Sequence, residues 1–266
     1  MSSLNPPTDT VSKGPSQIRY MDTASAYDLW SQVYDTDGNF LQALDTIEMS
    51  SLLPNFLRQI RSPKPWKIVD LGCGTGRNTL SLLKIPDTSI IGLELSPKMM
   101  EVAHARVEKE LEQLHKSDRC RSIELKLFDM VEQRHPPDCA VETDAIISTL
   151  VLEHVPTEAF FKTAFQILKP DGVLLVTNMH SDMGNISQAG FVDPKSGEKI
   201  RPQSYAHSVE DVVTEAKKQG FALEGDVLER GVDEAGSAAL GVRAKKWIGV
   251  MVWYAMLFRK VDHQSG

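Results

Sequence analysis

Val69-Asp70-Leu71-Gly72-Cys73-Gly74-Thr75-Gly76-Arg77-Asn78 carries an apolar run directly into a glycine-rich turn, and residues suited to a helix follow it. Glycine has no Cβ, so the backbone at these positions can approach a ligand closely and take left-handed angles. A strand that ends in such a turn before a helix is a common frame for holding a nucleotide on free backbone N–H groups. The spacing narrows that reading. Dinucleotide sites use G-x-G-x-x-G, whose third glycine lets the helix pack tightly on the strand. Here the pattern is G-x-G-x-G, and Arg77 occupies the place of that third glycine. No Gly-Lys-Ser/Thr is present to hold a triphosphate. Both nucleoside-phosphate readings therefore weaken.

Outward from this turn, short apolar runs alternate with amphipathic helices beyond Pro65, the pattern of βαβ units stacked into a mostly parallel sheet. Strands are predicted at 66–71, 89–94, 122–128, 145–149, 173–178, 221–228 and 246–258, which makes this an α/β chain with a seven-stranded sheet and helices on both faces. Ser96-Pro97 supplies an N-cap hydroxyl and a first-turn proline to a helix whose apolar face is Met99, Ala103, Val107, Leu111 and Leu114. Ser208 opens another helix with capping-box chemistry, ending near Gly220. Three further regions flank or interrupt this core, which is set at 66–266. Residues 1–19, rich in Ser, Pro, Thr and Asn, are expected to be a disordered tail. Residues 20–65 read as helical, with Tyr27, Trp30 and Tyr34 three and four apart on one face and an end or interruption at Pro54. An irregular insert at about 181–207 is long for a connection within a domain, and a second lies at 231–244.

With 36 acidic against 29 basic residues, the net charge is -7, so no basic field favours a phosphate backbone or an anionic membrane surface. Nucleic acid and membrane are not expected partners. No run approaches the roughly 18 to 20 apolar residues of a membrane span, and residues 1–15 contain no apolar signal core, so a cytoplasmic location is expected. The three cysteines, Cys73, Cys120 and Cys139, are odd in number and lack Cys-x-x-Cys spacing, so free thiols are expected and a zinc knuckle is not. A monomer or homodimer is expected.

Two acids join the glycine turn. Glu94 ends the second predicted strand, 18 residues after Gly76, where its carboxylate can accept both hydroxyls of a ribose. Phe128-Asp129-Met130 ends the third and offers a carboxylate and apolar neighbours to an adenine. An acid beside a pyrophosphate would repel it, but a cationic sulfonium would not be repelled. These features, with the turn Leu168-Lys169-Pro170-Asp171-Gly172 before the fifth strand, resemble the class I methyltransferases that use S-adenosylmethionine and release S-adenosylhomocysteine. The resemblance implies an antiparallel last strand and a cofactor at the carboxyl ends of the first four strands. It assigns cofactor contacts to Asp70, Gly72, Cys73, Gly74 and Gly76, to Glu94 and Leu95, to Asp129 and Met130, and to Thr149. It further implies that the helical segment is a lid whose Tyr27, Trp30 and Tyr34 close over the methionine moiety, and that the 181–207 insert caps the acceptor.

Methyl transfer is an in-line displacement at a sulfonium carbon, so alignment and desolvation supply most of the catalysis, and a base is needed only when the acceptor keeps its proton. The stretch after the fourth strand, Ile147 to Val155, lacks the Asp/Asn-Pro-Pro-aromatic pattern of enzymes acting on base or glutamine amino groups. Its Leu-Glu-His-Val ending resembles the ubiquinone-biosynthesis-like O-methyltransferases. In the metal-assisted members a glutamate stands where this chain has Leu150, so no metal site is expected. The candidate catalytic residues are His180, just past the fifth strand, and His154, with Glu153 beside it as base or orienter. The expected activity is methyl transfer to oxygen, nitrogen or sulfur of a small, partly apolar metabolite, in specialised metabolism. The alternatives are a protein or RNA methyltransferase and a non-methylating protein that retains the fold.

Overall fold

The strand that carries the glycine turn lies at the centre of the sheet because its alternate residues are apolar on both sides. In β2 (Trp66–Leu71), Ile68 packs into one buried cluster while Val69 and Leu71 pack into another on the opposite face. A strand buried on both faces needs helices on both, and successive side chains of a strand point to opposite sides. The computed structural model describes residues 18–261.

In chain order the elements are β1 (Ile18–Tyr20), α1 (Thr23–Trp30), α2 (Phe40–Leu57), β2, α3 (Thr79–Leu82), β3 (Thr88–Glu94), α4 (Pro97–Gln113), β4 (Ser122–Leu127) and β5 (Thr143–Thr149). There follow α5 (Thr157–Ile167), β6 (Leu168–Met179), α6 (Ser181–Ile186), β7 (Phe191–Val192), β8 (Lys199–Arg201), α7 (Val209–Lys218), β9 (Phe221–Leu223), β10 (Leu228–Gly231), α8 (Glu234–Leu240) and β11 (Met251–Lys260). The main sheet runs β4-β3-β2-β5-β6-β11 with parallel pairing as far as β6, and β11 is antiparallel to its neighbours. Phe160, Phe161 and Ile167 of α5 and Val212 and Ala216 of α7 cover one face; Met49 and Phe56 of α2, Leu82 of α3 and Val107 of α4 cover the other. Full burial of a side chain the size of Phe160 or Phe161 contributes about 1.5 to 3 kcal/mol.

The structure corrects the sequence reading at several points. The strand expected at 221–228 is two short strands, β9 and β10, which pair with different stretches of β11, so the sheet has eight strands in seven positions. The break falls at Gly225, where φ is +76°, a turn that glycine takes without strain. The last strand starts at Met251 because Val242–Trp247 forms a 3-10 helix. Pro54 lies within α2, which continues to Leu57. The expected tail lies outside the described residues over 1–17, but Ile18 and Arg19 belong to β1, which pairs in parallel with β8 of the 181–207 insert. The insert's β7 and β8 thus form a small three-stranded sheet with β1, in the order β1-β8-β7.

Candidate active site

Where β2, β3, β4 and β5 end, the chain leaves a cavity of about 280 Å³ lined by Gly72, Gly74, Glu94, Leu95, Asp129, Met130 and Thr149, with Tyr27, Tyr34, His154 and Gln203 across from them. The parallel strands place these residues together, because each strand of a doubly wound sheet delivers its carboxyl end to the same edge.

The glycine turn is built for close approach. Gly72 has φ +78°, and a Cβ there would stand 2.3 Å from Cγ2 of Val151, so the turn and the loop after β5 touch backbone to side chain. Gly74 has φ +55° and nothing within 4 Å of a Cβ position, which leaves its surface open to the cavity. Its N–H donates to Oε2 of Glu94 at 2.9 Å, and the N–H of Ser96 donates to Oε1 at 2.8 Å. Burial pushes the Glu94 carboxyl above its usual range, and these backbone bonds oppose that shift. Each oxygen keeps a lone pair for a ligand hydroxyl. Asp129 is half-buried and accepts from the N–H groups of Val131 and Glu132 at 2.8 and 3.1 Å through one oxygen, which leaves its other oxygen without a protein donor.

Four residues assigned to the cofactor lie elsewhere. Asp70 is buried beneath the turn, accepts from the Thr79 hydroxyl at 2.6 Å, and is pushed up to about 6 by burial. It pins the start of α3 and does not line the cavity. Cys73 is buried with its Sγ against Gly92, and burial raises its thiol well above the usual range. Gly76 faces Ala103 of α4, whose Cβ would be 3.4 Å from an added methyl. Trp30 stacks on Phe191 at 5.0 Å between ring centroids and donates through Nε1 to Asp37 at 2.9 Å, so it joins α1 to β7 without reaching the cofactor-side cavity.

His180 also differs from expectation. Its Nδ1 accepts from the N–H of Asp182 as the N-cap of α6, and its Nε2 lies 2.9 Å from Oε1 of Glu229. Both ring nitrogens are engaged in holding α6 and β10 to the sheet end, and the ring lines neither this cavity nor the second one beside it. His154 does line the first cavity. The carbonyl of Gln203 can only accept, so Nδ1 carries the proton at 2.8 Å and Nε2 accepts from the Tyr27 hydroxyl at 2.7 Å. Burial lowers His154 to about 4 and holds Tyr27 well above its usual value, which fixes a neutral imidazole and a protonated phenol.

The residue before it was a secondary candidate and is chemically the more unusual. Glu153 is 3% exposed, burial pushes its carboxyl up to about 7, and Oε2 has no hydrogen-bond partner among the described residues. It lines a second cavity, of about 80 Å³, shared among Phe40, Met179, Met183 and Trp247. Tyr27, Tyr34 and Leu150 line both cavities, so the two adjoin at these residues. Leu150 takes φ +57°, a strained angle for a leucine, and its N–H is held by the Thr177 carbonyl at 2.9 Å.

Sequence reasoning missed the polar ties beneath this junction. Asp45 of α2 is fully buried and accepts from Nη2 of Arg77 at 2.5 Å and from Nε1 of Trp253 at 2.9 Å. Thr149 accepts from Asn78 at 2.7 Å and Arg77 at 3.2 Å. Asp35 accepts from Thr75 at 3.0 Å and Arg106 at 2.9 Å, and Asp28 accepts from the Lys98 N–H at 3.0 Å. The N-terminal segment is thereby tied to the glycine turn and to α4 through three carboxylates. An apolar-period scan does not register them, although Arg77 in place of a glycine was one visible signal.

A family described as methyltransferase domain matches residues 69–176. An uncharacterized methyltransferase of Emericella nidulans is 46% identical over 264 residues, covering 90% of this chain and 91% of that one. The mitochondrial ubiquinone biosynthesis O-methyltransferase of Bos taurus is 29% identical over 53% of this chain and 37% of its own length. The structure of DhpI in complex with S-adenosylhomocysteine superposes with a TM-score of 0.56 at 18% identity, over 90% of this chain and 96% of that one. This chain belongs to the class I S-adenosylmethionine-dependent methyltransferases. The cavity suits that cofactor on its own terms: an open glycine surface at Gly74, a buried carboxylate with free lone pairs, and an apolar slot formed by Leu95, Phe128 and Met130 that ends at Asp129.

Proposed function

We propose that this enzyme methylates a small, partly apolar metabolite at oxygen, nitrogen or sulfur, with α1 and α2 acting as a lid and the 181–207 insert as a cap. The observation that carries this reading is the second cavity. It adjoins the cofactor-side cavity at Tyr27, Tyr34 and Leu150, is walled by Phe40, Leu41, Met183 and Trp247, and is flanked by the N-terminal segment and by residues 187–190 and Lys199 of the insert. A recess of about 80 Å³ with apolar walls can take part of a small acceptor, and the net charge of -7 does not attract RNA. Among the described residues no helix is long and apolar enough to cross a membrane; a cytosolic place in specialised metabolism is part of the proposal.

In this reading S-adenosylmethionine supplies the electrophilic methyl carbon. Glu94 holds the ribose hydroxyls, Asp129 the adenine edge, and the Gly72–Gly74 backbone the methionine end. Tyr27, locked by His154, and Tyr34 exclude water and present aromatic faces to a sulfonium. Glu153 takes the proton from an acceptor O–H or N–H. His154 is too weak a base for that task, since its Nε2 lone pair is already occupied by the Tyr27 hydroxyl. Incubation with methyl-labelled S-adenosylmethionine and a host-cell extract split into small-molecule, protein and RNA fractions tests the acceptor class: label in the small-molecule fraction is expected, and label confined to protein or RNA overturns it. For the identified acceptor, turnover should rise with pH through about 7 as Glu153 loses its proton, and Glu153→Gln should remove that rise while leaving cofactor affinity within twofold.

A further inference from the structure

The second cavity is apolar in its depth but cationic at its rim. Lys199 of β8, Arg243 and Lys246 all line it. They come from opposite sides: Lys199 from the small sheet of the insert, Arg243 and Lys246 from the 3-10 helix before β11. Arg201, two residues along the same strand and therefore on the same face as Lys199, adds a fourth positive charge nearby, and its Nε is buried without a partner.

In a chain with 36 acidic and 29 basic residues, such a cluster would ordinarily find carboxylates. Arg243 does, 3.6 Å from Asp37, but the two lysines do not. Among the described residues the Lys199 side chain has no ion pair or hydrogen bond, and that of Lys246 has only the face of Trp247, 4.9 Å away. The adjacent Glu198 pairs with Arg19 instead, and Asp37 is occupied by Arg243, Trp30 and Asn39. Glu153, the carboxyl group that lines this cavity, is buried among its inner residues. The like charges act on one another: burial first, and then Arg201, Lys246 and Arg243, hold the Lys199 ammonium below its usual value. Self-repulsion of this kind beside an apolar cavity disfavours the free protein and is relieved when an anion binds.

We propose that Lys199, Lys246 and Arg243 bind an anionic group of the acceptor, a carboxylate or phosphate, while apolar parts of it enter the second cavity and its nucleophilic atom reaches the cofactor side where the two cavities adjoin, at Tyr27, Tyr34 and Leu150. The proposal rests on the reading of that cavity as the acceptor site. It defines the substrate class as an amphipathic organic acid that is methylated at an atom other than the acid group, since methylation of the acid would remove the charge the cluster holds.

The test passes the labelled small-molecule products of the full-length enzyme over an anion exchanger at neutral pH and identifies the retained label by mass, which separates carboxylates from phosphates. The expected result is a retained, still acidic product. For that acceptor the double variant Lys199→Met/Lys246→Met raises KM by tenfold or more, changes kcat by less than KM, and leaves S-adenosylhomocysteine affinity by calorimetry within twofold, which also shows that the variant folds. Lys199→Arg restores most of the lost affinity. Label on a neutral or cationic small molecule, label on the acid group itself, or an unchanged KM in the double variant overturns the anion site while leaving small-molecule methylation standing. Label only on protein or RNA, or none at all, breaks the underlying acceptor reading instead, and the anion site with it.

Discussion

The cofactor side of the site comes from the ends of adjacent parallel strands, whereas the acceptor side is gathered from segments spread across the chain. Gly72, Gly74, Glu94 and Asp129 lie within 60 residues and share one sheet edge, held by backbone geometry. Phe40 and Met183 come from helices α2 and α6, Lys199 from the small sheet, and Glu153 and Lys246 from two separate 3-10 turns. Rigid strands fix the first wall for a cofactor common to the family, and the second is free to vary because the connections that build it carry no sheet register.

If that contrast is right, damage to the first wall should cost fold and cofactor together, and damage to the second should cost turnover or acceptor binding. Gly72→Ala is the severest case. Its Cβ would meet Val151 at 2.3 Å in a left-handed backbone, and the combined strain and overpacking should cost about 2 to 5 kcal/mol. Thermal unfolding should fall by about 5 to 15 °C, and a Tm equal to the parent's would break the comparison at its strongest point.

Glu153→Gln should do the reverse, stabilising the fold while impairing turnover. A carboxyl whose folded pKa is raised to about 7 binds more protons in the native state than in the unfolded one between about 4.5 and 7. Stability should therefore fall as pH rises through that window, and the glutamine should recover about 3 kcal/mol at pH 8, read by urea unfolding at several pH values. A variant no more stable than the parent at pH 8 would mean that the carboxylate is solvated.

Glu94→Gln sharpens the cofactor wall. Loss of the charge that accepts ribose hydroxyls should weaken S-adenosylmethionine binding by about 1.5 to 3 kcal/mol, measured by calorimetry. Unchanged affinity would move the ribose site elsewhere. The smallest effect is expected for Tyr27→Phe where the cavities adjoin. It removes the 2.7 Å bond to His154 and should cost about 1 kcal/mol of stability, read by urea unfolding; a variant as stable as the parent would mean the bond contributes nothing net.

The same division marks what could be read in advance. The five parallel strands, the glycine turn, Glu94, Asp129 and the Ser96 and Ser208 caps follow from local patterns, because strand period, turn chemistry and capping act within a few residues. His180 could be placed just past a strand but not aimed, and its ring is turned away by Glu229, 49 residues later. Cys73, Gly76 and Asp70 sit in the motif yet face Gly92, Ala103 and Thr79, since alternate residues of a strand and turn point to opposite sides. Trp30 and Tyr27 share one helix face, but only Tyr27 reaches the cofactor-side cavity.

The sequence by itself determined the α/β order, the parallel core, the antiparallel last strand through its family resemblance, and the carboxylate and glycine positions that suit S-adenosylmethionine. Only the tertiary structure decided that Glu153 lies buried without a partner for Oε2, that Leu150 is strained where two cavities adjoin, and that Lys199 and Lys246 meet across a rim 47 residues apart in the chain. The physical reason is range. Strand and turn formation are governed by neighbours along the chain, whereas desolvation and charge clustering depend on every segment that packs nearby, and those segments meet only when the chain is folded.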